Sequence, residues 1–404
     1  MTLGSLFDGS GTCPLAATLC GITPVWASEI EPFPVAVTTK RFPNMKHLGD
    51  LTKINGAEID PVDIITFGSP CQDLSIAGKR AGLNGNRSSL FFHAIRIVKE
   101  MREKTNGRYP RYAVYENVLG AFSSNSGDDF REVLRQFCQI CDPSADVPRP
   151  DNGKWLHDGC IMGESYSVAW RVLDAQYWGV AARRRRLYAV LDLTGGSAPK
   201  VLFERESLQQ HFEPLEQARE ASATHPAECS TGNDSLVGLG CGVRVAFDNH
   251  PQDARYTQLD KVCPTLTARY GTGGNNVPIV TEQLSSYTLQ IRAGCEGGGK
   301  GALIQVEKSA TLSTVQTQTL FTPTTPADKT NPYEKLPPWI VRRLTPQECA
   351  MLQGFPPDWA ADVPHTDSAE YKMWGNGMAL PCMLYIMEGL AAELSKEAED
   401  GTSS

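Results

Sequence analysis

The sequence lacks the segments that send a protein into or across a membrane. No apolar run reaches the length of a membrane span, and the first residues lack the charged stretch and apolar core of an export signal. The 12 cysteines therefore belong to a chain without such a signal, which favours reduced thiols over disulfides. These absences predict a cytoplasmic protein, and 404 residues are enough for one large and one smaller domain.

A net positive charge is also absent. Lys and Arg number 38 against 46 for Asp and Glu, so the net charge is −8, which argues weakly against a nucleic-acid ligand. Total charge is a poor guide where cations are clustered, and residues 183–186 are all arginine. The composition therefore leaves a nucleic-acid ligand open.

The first residues predict a strand, a glycine loop and a helix. Residues 2–7 predict the strand, 8–11 the turn, and Pro14 suits the first turn of the helix. Glu29 follows a second predicted strand, 20 residues after Gly9, where such folds hold ribose hydroxyls; a helix cap is the alternative. The third glycine of a dinucleotide loop is missing, and no phosphate-binding lysine follows. The loop therefore predicts an adenosine cofactor without a pyrophosphate.

A cysteine follows an apolar predicted strand. Apart from Asp63, residues 62–67 are β-branched or apolar, and Cys71 comes at the exit of that strand, where open α/β sheets place their chemistry. The following loop, 73–89, is rich in glycine and contains Lys79, Arg80 and Arg87. A lone Pro-Cys is by itself more often a buried structural thiol. A nucleophile followed by a cationic loop indicates a lid that closes over an anionic polymer.

Strand and helix patterns alternate through the first half of the chain. The predicted helices cover residues 33–41, 90–102 and 128–138, and the predicted strands cover 25–28, 47–51, 112–115, 166–173 and 187–191. Asp50 lies near the end of one strand, and Glu116 directly follows another. Alternation of this kind predicts a parallel twisted sheet.

Four residues have a spacing that resembles a zinc site, namely Cys138, Cys141, His157 and Cys160. Because the first two fall at the end of a predicted amphipathic helix, we favour core thiols and predict no metal.

The texture of the sequence changes after residue 193. From 194 to 337, helical periodicity fades, and short β runs alternate with glycine-rich loops such as 271–276 and 294–301. A helical pattern returns at 344–353, where Thr345 is suited to cap the helix, and a last helix is predicted to end near Leu394. We therefore predict a catalytic and cofactor-binding domain over 1–193, a loop-rich second domain over 194–337, and a segment over 338–404 that completes the first domain.

Six motifs, in this order along the chain, resemble those of the bacterial and phage DNA cytosine-5 methyltransferases. They are Phe7-Asp8-Gly9-Ser10-Gly11, Ser69-Pro70-Cys71-Gln72, Glu116-Asn117-Val118, the arginine-rich segment 179–188, the helix motif 343–356, and Gly375-Asn376. The resemblance covers residues 3–193 and 338–394, and 194–337 fall where the family keeps its target-recognition domain. It departs from the family at Ala181-Ala182, usually Pro-Gln, and at Gly377, usually Ser.

The resemblance implies an α/β fold with a Rossmann-like, doubly wound and mostly parallel sheet, plus a smaller loop- and β-rich target-recognition domain. It implies methyl transfer from S-adenosyl-L-methionine to carbon 5 of a cytosine flipped out of double-stranded DNA. Cys71 would be the nucleophile, Glu116 would stabilise charge on the ring, and Arg184 and Arg186 would supply positive field. We expect a monomer in a bacterial cell, with a restriction enzyme or a phage genome as the wider context.

The resemblance also assigns binding residues. The expected cofactor residues are Phe7, Gly9, Gly11, Glu29, Ile30, Asp50, Leu51, Pro70, Asn376 and Met378. The expected DNA contacts of the catalytic part are Gln72, Ser75, Lys79, Arg80 and Arg87. In the second domain, Arg269 and Arg292 flank glycine-rich loops and are candidates for guanine contacts, with solvated surface arginines as the alternative.

Three other functions fit part of the sequence. A tRNA cytosine methyltransferase would use the same catalytic core, although the long segment 194–337 favours DNA. A catalytically silent DNA-binding relative would not need both Cys71 and Glu116. A nicotinamide-dependent oxidoreductase would explain the glycine loop and Glu29 but not Cys71.

Overall fold

An eight-stranded mixed sheet organises the first half of the chain. Its strands are β1 (Thr2–Leu6), β2 (Thr23–Ser28), β3 (Lys46–His47), β4 (Ile64–Phe67), β5 (Tyr112–Asn117), β6 (Asp158–Met162), β7 (Ser167–Asp174) and β8 (Arg185–Asp192). Their order across the sheet is β3-β2-β1-β4-β5-β8-β7-β6. Strands β1 to β5 pair in parallel, whereas β8, β7 and β6 are added antiparallel. The predicted α/β class with a mostly parallel sheet is confirmed.

The computed structural model describes residues 1–69, 89–150, 152–203, 246–249, 256–259, 279–283, 287–292, 301–306, 318–321 and 339–401. The chain divides into two compact units. The first contains residues 1–174, 185–210 and 378–404, and the second contains 175–184 and 211–377. The predicted functional domains, with boundaries at 193 and 337, stay predictions.

Eight α-helices lie in the described parts of the chain. They are α1 (Thr12–Leu19), α2 (Pro32–Arg41), α3 (Ser89–Lys104), α4 (Asp128–Cys138), α5 (Ala198–Leu202), α6 (Pro346–Leu352), α7 (Asp367–Asn376) and α8 (Leu380–Gly401). Among the described residues, no single helix is long and apolar enough to span a membrane; Asp367–Asn376 and Leu380–Lys396 meet the length and composition test only when taken together.

The central strands are buried on both faces. Phe67 of β4 and Tyr115 of β5 meet Phe137 of α4, with ring centroids 5.4 Å apart for Tyr115 and Phe137. Because successive strand residues point to opposite faces, the neighbours of these residues face the other side of the sheet. Helix α1 contacts β1 and β2, and helix α5 contacts β7 and β8. Burial on both faces explains why the strand Ile64–Phe67 is a continuous run of buried, β-branched or apolar residues rather than an alternating one.

Helix α8 returns to the start of the chain and packs against α1. Thr12 Oγ1 donates a hydrogen bond to the Met378 carbonyl (3.3 Å), and the Cys13 Sγ lies 3.9 Å from the Met378 Sδ. The two residues of each pair are far apart in sequence, by 366 positions for Thr12 and Met378 and by 365 for Cys13 and Met378. The last helix therefore completes the unit that contains the glycine loop.

The described residues of the second unit form two antiparallel sheets and two helices. The four-stranded sheet has the order β10 (Tyr256–Leu259), β9 (Ala246–Asn249), β11 (Ile279–Gln283) and β15 (Trp339–Arg343), and the three-stranded sheet has the order β13 (Gly301–Val306), β12 (Tyr287–Arg292) and β14 (Gln318–Phe321). Thr345 and Glu348 form a capping box at the start of α6, as the sequence predicted for Thr345. The buried Glu370 of α7 accepts hydrogen bonds from Trp374 Nε1 (3.0 Å) and the His365 ring (2.6 Å).

Two of the predicted elements differ from the structure by more than two residues at one end. The predicted strand 47–51 is wrong beyond His47, because the Asp50 carboxylate accepts from the Thr52 amide (3.0 Å) and begins a 3₁₀ turn over Leu51–Lys53 instead. The last helix runs to Gly401 rather than ending near Leu394. The residues beyond 394 include good helix formers such as Glu and Lys, which extend a helix already held by its packing.

Candidate active site

The loop between β1 and α1 has three residues with left-handed backbone. Phe7 has φ 58°, Gly9 has φ 57° and Gly11, which caps α1, has φ 81°. The Asp8 amide donates to the Ser28 carbonyl (3.1 Å), and the Gly11 amide donates to the Asp8 carbonyl (3.1 Å). A left-handed φ is unfavourable for a bulky residue such as Phe7, so this backbone is held by its surroundings. Glycine suits positions 9 and 11 because the turn has a positive φ there. The turn places the loop beside the end of β2.

Glu29, directly after β2, connects to that loop. Its Oε2 accepts from the Gly9 amide (2.9 Å), and its Oε1 accepts from the amides of Ile30 (2.7 Å) and Glu31 (2.9 Å). The carboxylate therefore orders the loop and the residues before α2, in addition to any hydroxyl it receives. The Ile30 side chain is exposed beside it in sequence, a position compatible with covering a bound ring.

Asp50 lies three residues after β3 and caps the following 3₁₀ turn. Hydrogen bonds from the Thr52 hydroxyl (2.8 Å) and amide hold the pKa of its carboxyl below the usual range, with Lys53 adding to the effect. Asp50 is thus a carboxylate at the edge of the sheet, where an amine of a ligand could reach it. Leu51, which follows it, is buried.

The exit of β4 packs closely against β5 and Met378. A Cβ built on Gly68 would lie 2.9 Å from Met378 Cε and 3.2 Å from Glu116 Oε2, so a side chain at this position would displace both. The Asn117 amide donates to the Ser69 carbonyl (3.2 Å) and to the Tyr115 hydroxyl (2.6 Å). The buried Asn117 therefore fixes the backbone at Ser69, the first residue of the predicted nucleophile motif.

Glu116 and Arg186 form an ion pair where strand β5 ends and strand β8 begins. Arg186 Nε lies 3.2 Å from Glu116 Oε1, and both side chains are 13% exposed. Glu116 is on β5 and Arg186 is the second residue of β8, and the two strands pair antiparallel. Because β8 runs against β5, its first residues meet the end of β5 that carries Glu116. The pairing brings a carboxylate and a guanidinium together beside Gly68.

Several predicted site residues lie outside the described part of the chain. They are Pro70, Cys71, Gln72, Ser75, Lys79, Arg80, Arg87 and Arg269. The assignments made for them stay predictions.

A sequence model of the C-5 cytosine-specific DNA methylase family matches residues 1–140 and 161–392, most of the chain. The chain belongs to this family. Membership identifies it as a DNA cytosine methyltransferase by family, with DNA as the substrate class, and it confirms the resemblance read from the six motifs.

Relatives from phage and bacteria support this membership. The chain is 28% identical to a "DNA N-6-adenine-methyltransferase" of Escherichia phage P1, over 98% of this chain and 62% of that protein. It is 25% identical to the type II methyltransferase M.HhaI of Haemophilus parahaemolyticus, over 96% of this chain and 94% of the relative. The methylase thus spans less than two thirds of the phage P1 protein but nearly all of M.HhaI.

Solved structures share the fold of this methylase. The Dnmt2 methyltransferase of Schizosaccharomyces pombe superposes with a TM-score of 0.55 at 17% identity, covering 98% of this chain and 99% of that one. A putative DNA modification methyltransferase encoded within a prophage of E. coli gives the same values. At this identity the likeness concerns the fold alone.

Arg184 of the methylase is buried and contacts the final motif. It donates to the carbonyls of Gly375 (3.2 Å) and Gly377, which flank Asn376 at the end of α7. Asn376 itself is exposed. The described contacts of Arg184 therefore support the backbone around Asn376, where the family's usual Ser is replaced by Gly377. Arg186, by contrast, pairs with Glu116.

In the second unit, Arg292 ends β12 and is paired in register with Gly301 of β13. It therefore stands at the base of the hairpin whose connection, 293–300, is rich in glycine. This register is compatible with the prediction that Arg292 flanks a loop directed at DNA, which stays a prediction.

Two polar residues of the site were given no role in the sequence analysis. Asn117 could have been found, because it lies inside the Glu116-Asn117-Val118 motif. Asp8 also lies inside a motif, yet nothing in the sequence shows that it is buried.

Among the described residues, no group of three or more His, Cys, Asp or Glu side chains could hold a metal ion. Of the four residues whose spacing resembles a zinc site, Cys138 is buried and Cys160 is exposed.

Proposed function

We propose that this methylase transfers a methyl group from S-adenosyl-L-methionine to carbon 5 of a cytosine flipped out of duplex DNA, through a covalent Cys71–carbon 6 adduct. The observation that carries the proposal is the Glu116–Arg186 pair beside Gly68. The pair lies beside Gly68, which comes three residues before Cys71 of the Ser69-Pro70-Cys71-Gln72 motif in sequence.

The described residues at the ends of β1, β2 and β3 fit the cofactor. The left-handed glycine loop admits a ligand close to its backbone at Gly9, where a Cβ would meet only the Phe7 carbonyl, at 3.9 Å. We assign Phe7, Gly9 and Gly11 to the methionine end, Glu29 to the ribose, and Asp50 to the adenine amine. Ile30, Leu51, Pro70, Asn376 and Met378 would line the remainder. When bound, S-adenosyl-L-methionine would supply a methyl group on a positively charged sulfur.

The remaining chemistry belongs to residues of the chain. Carbon 5 of cytosine is a poor nucleophile until the Cys71 sulfur adds to carbon 6 and opens the ring's 5,6 double bond. This addition moves an electron pair towards ring nitrogen 3, where Glu116 would share a proton. Arg186 holds Oε1 of Glu116, and Oε2 lies towards Gly68, the side from which Cys71 follows. Once carbon 5 has taken the methyl group, its proton would pass to water, and the electron pair of that C–H bond would re-form the 5,6 double bond as the Cys71 sulfur leaves as a thiolate.

The base must leave the duplex for these atoms to reach it, at a cost of a few kcal/mol. We propose that the segment after Cys71 closes over the DNA, with Gln72 and Ser75 near the flipped base. Lys79, Arg80 and Arg87 would contact phosphates, which explains a cationic loop in an acidic protein.

Incubation of the purified protein with duplex DNA and S-adenosyl-L-methionine is expected to yield 5-methylcytosine at one sequence. Bisulfite sequencing would locate it, and mass analysis of the digested DNA would count 5-methylcytosine and N6-methyladenine separately. The second count matters because the phage P1 relative is named as an N-6-adenine methyltransferase. A parallel reaction with tRNA tests the other branch of the catalytic chemistry. Methyl groups found on adenine or on tRNA, with none on DNA cytosine, would contradict the proposal.

We further propose that residues 194–337 select the DNA sequence. Catalytic motifs flank this segment, and none lies inside it. Its described strands form hairpin-rich antiparallel sheets, whose connections can present side chains to base edges. The catalytic site serves any flipped cytosine and so cannot select the neighbouring bases alone.

Exchange of residues 194–337 for the corresponding segment of M.HhaI is expected to transfer the donor's methylated sequence to the hybrid. The physical reason is that base contacts, not the chemistry, would move with the segment. Bisulfite sequencing of one DNA pool treated with parent, donor and hybrid makes the comparison. An active hybrid that keeps the parent's sequence would place recognition elsewhere.

A further inference from the structure

A buried carboxyl lies inside the glycine loop. Asp8 is 6% exposed, and its Oδ1 accepts from the Ser5 hydroxyl (2.7 Å). Its other oxygen, Oδ2, is buried and has no hydrogen-bond partner among the residues that the structure describes. A buried polar atom without a partner is costly and calls for an explanation.

A purely structural role does not account for the hydrogen bonding of the Asp8 carboxyl. One oxygen of a side chain is enough to receive the Ser5 hydroxyl, and an asparagine oxygen would do the same without a buried charge. Ser5 and Thr66 are register partners on β1 and β4, and both are buried. The Thr66 hydroxyl also has no hydrogen-bond partner in the described part of the chain. The end of the sheet beneath the loop is therefore polar and incompletely satisfied.

The electrostatic surroundings of Asp8 are acidic or neutral. Glu29, after β2, is the charged group that acts on it, and the thiol of Cys13 on α1 lies close enough to feel its charge. Burial, opposed by the Ser5 hydrogen bond and reinforced by Glu29, raises the pKa of Asp8 to about 7. Burial also raises the pKa of Cys13 to about 12, so this thiol stays neutral. Asp8 is thus a carboxyl without a described cationic partner.

We propose that Asp8 is a cofactor-binding residue whose carboxylate receives the cationic methionine end of S-adenosyl-L-methionine. The inference rests on the proposed function, and it assigns a role to an oxygen that the protein itself leaves unpaired. A ligand with a positive charge would supply the missing partner for Oδ2 and relieve the buried carboxylate. The methionine end carries two such charges, an α-ammonium and a sulfonium, and S-adenosyl-L-homocysteine keeps only the first.

The same arrangement couples binding to a proton. In the free protein, Asp8 is protonated below a pH of about 7, and a cation binds the carboxylate rather than the acid. Affinity for S-adenosyl-L-methionine should therefore rise as the pH passes upward through this range. The Asp8→Asn variant still contains Glu29, which acts on Asp8, and Cys13, on which Asp8 acts. A pH dependence that is lost in this variant is therefore due to Asp8.

The test is the dissociation constant of S-adenosyl-L-methionine, measured by calorimetry with the wild-type protein and Asp8→Asn. At about pH 7.5 the variant is expected to bind about 10- to 100-fold more weakly, as for the loss of a hydrogen bond to a charged group. Between about pH 7.5 and pH 5.5 the wild type should weaken on the order of tenfold, and the variant should change much less. Equal losses for S-adenosyl-L-methionine and S-adenosyl-L-homocysteine would assign the ammonium, and a loss confined to the former would assign the sulfonium.

Two further measurements separate an electrostatic role of Asp8 from a purely structural role. Ser5→Ala removes the hydroxyl that lowers the pKa of Asp8 but keeps the carboxyl, so its binding should remain pH-dependent with a midpoint at higher pH. Because the folded state raises the pKa of Asp8, the folded protein binds more protons than the unfolded chain, and this group costs stability as the pH rises from about 4 to 7. Asp8→Asn should therefore raise the Tm of the free protein at about pH 8, with a smaller gain at lower pH.

Unchanged affinity in Asp8→Asn, or a wild-type affinity that does not vary over this pH range, would overturn the inference and leave the proposed function standing. A wild-type protein that binds neither nucleoside at any of these pH values would instead defeat the proposed function. If Asp8→Asn does not fold, the pH dependence of the wild type and of Ser5→Ala still decides the matter.

Discussion

Replacing Cys71 with alanine is expected to abolish methyl transfer, by about 10⁴-fold or more, the scale of deleting a covalent nucleophile. The loss is this large because carbon 5 stays unreactive unless sulfur adds at carbon 6. DNA carrying 5-fluorocytosine at the target position gives a direct readout, since fluorine cannot leave as a proton does. The wild type should form a complex with this DNA that survives denaturing electrophoresis, and Cys71→Ala should form none.

The matched control for Cys71→Ala is Cys160→Ala. Cys160 is an exposed thiol on β6, so an adventitious reaction with DNA would involve it at least as readily. Trapping should be unchanged in Cys160→Ala, and S-adenosyl-L-methionine should still bind to Cys71→Ala. A trapped complex formed by Cys71→Ala would remove Cys71 from the mechanism.

Replacing Glu116 with glutamine is expected to lower turnover by about 10²–10³-fold, the usual effect of removing a group that stabilises developing charge. Glutamine keeps the size of the side chain and can still contact Arg186, but it cannot give a proton to ring nitrogen 3. DNA affinity should change little, because the lost interaction is made mainly in the transition state. Single-turnover kinetics together with equilibrium DNA binding would separate the two effects.

Glu132→Gln is the matched control for Glu116→Gln. It also replaces a carboxylate paired with an arginine, since Arg135 Nη2 lies 2.6 Å from Glu132 Oε2 within α4. Turnover in this variant should stay within a factor of about two, as for a solvent-screened pair. A comparably small loss in Glu116→Gln would mean that another acid serves the ring.

Elements with a strong local pattern were predicted well. Helix α4 has the predicted bounds, because its apolar residues recur at helical spacing and its first two residues are acidic. Strand β6 was missed. It lies at the edge of the sheet, alternates between half-buried and exposed residues, and is held by pairing with β7. Helix α7 was missed because its apolar residues form no clear stripe.

The candidate site was predictable as residue types but not as contacts. The sequence places Glu116 after a strand and Arg186 in an arginine run, but their ion pair depends on β8 lying antiparallel beside β5. Local pattern carries no signal for that neighbour, since the two strands are separated by α4, β6 and β7. Likewise, the cost of burying Asp8 arises from tertiary packing around the loop, which no local rule describes.

The packing of α8 on α1 has a consequence for synthesis of the protein. Cys13 leaves the ribosome 365 residues before Met378, so at ordinary translation rates α1 remains without its partner helix for about 20–70 s. During that interval β1 and β4 can pair, but the apolar side of α1 that α8 covers stays in contact with water or a chaperone. The glycine loop, although made first, therefore acquires its final packing only after the last helix has been translated.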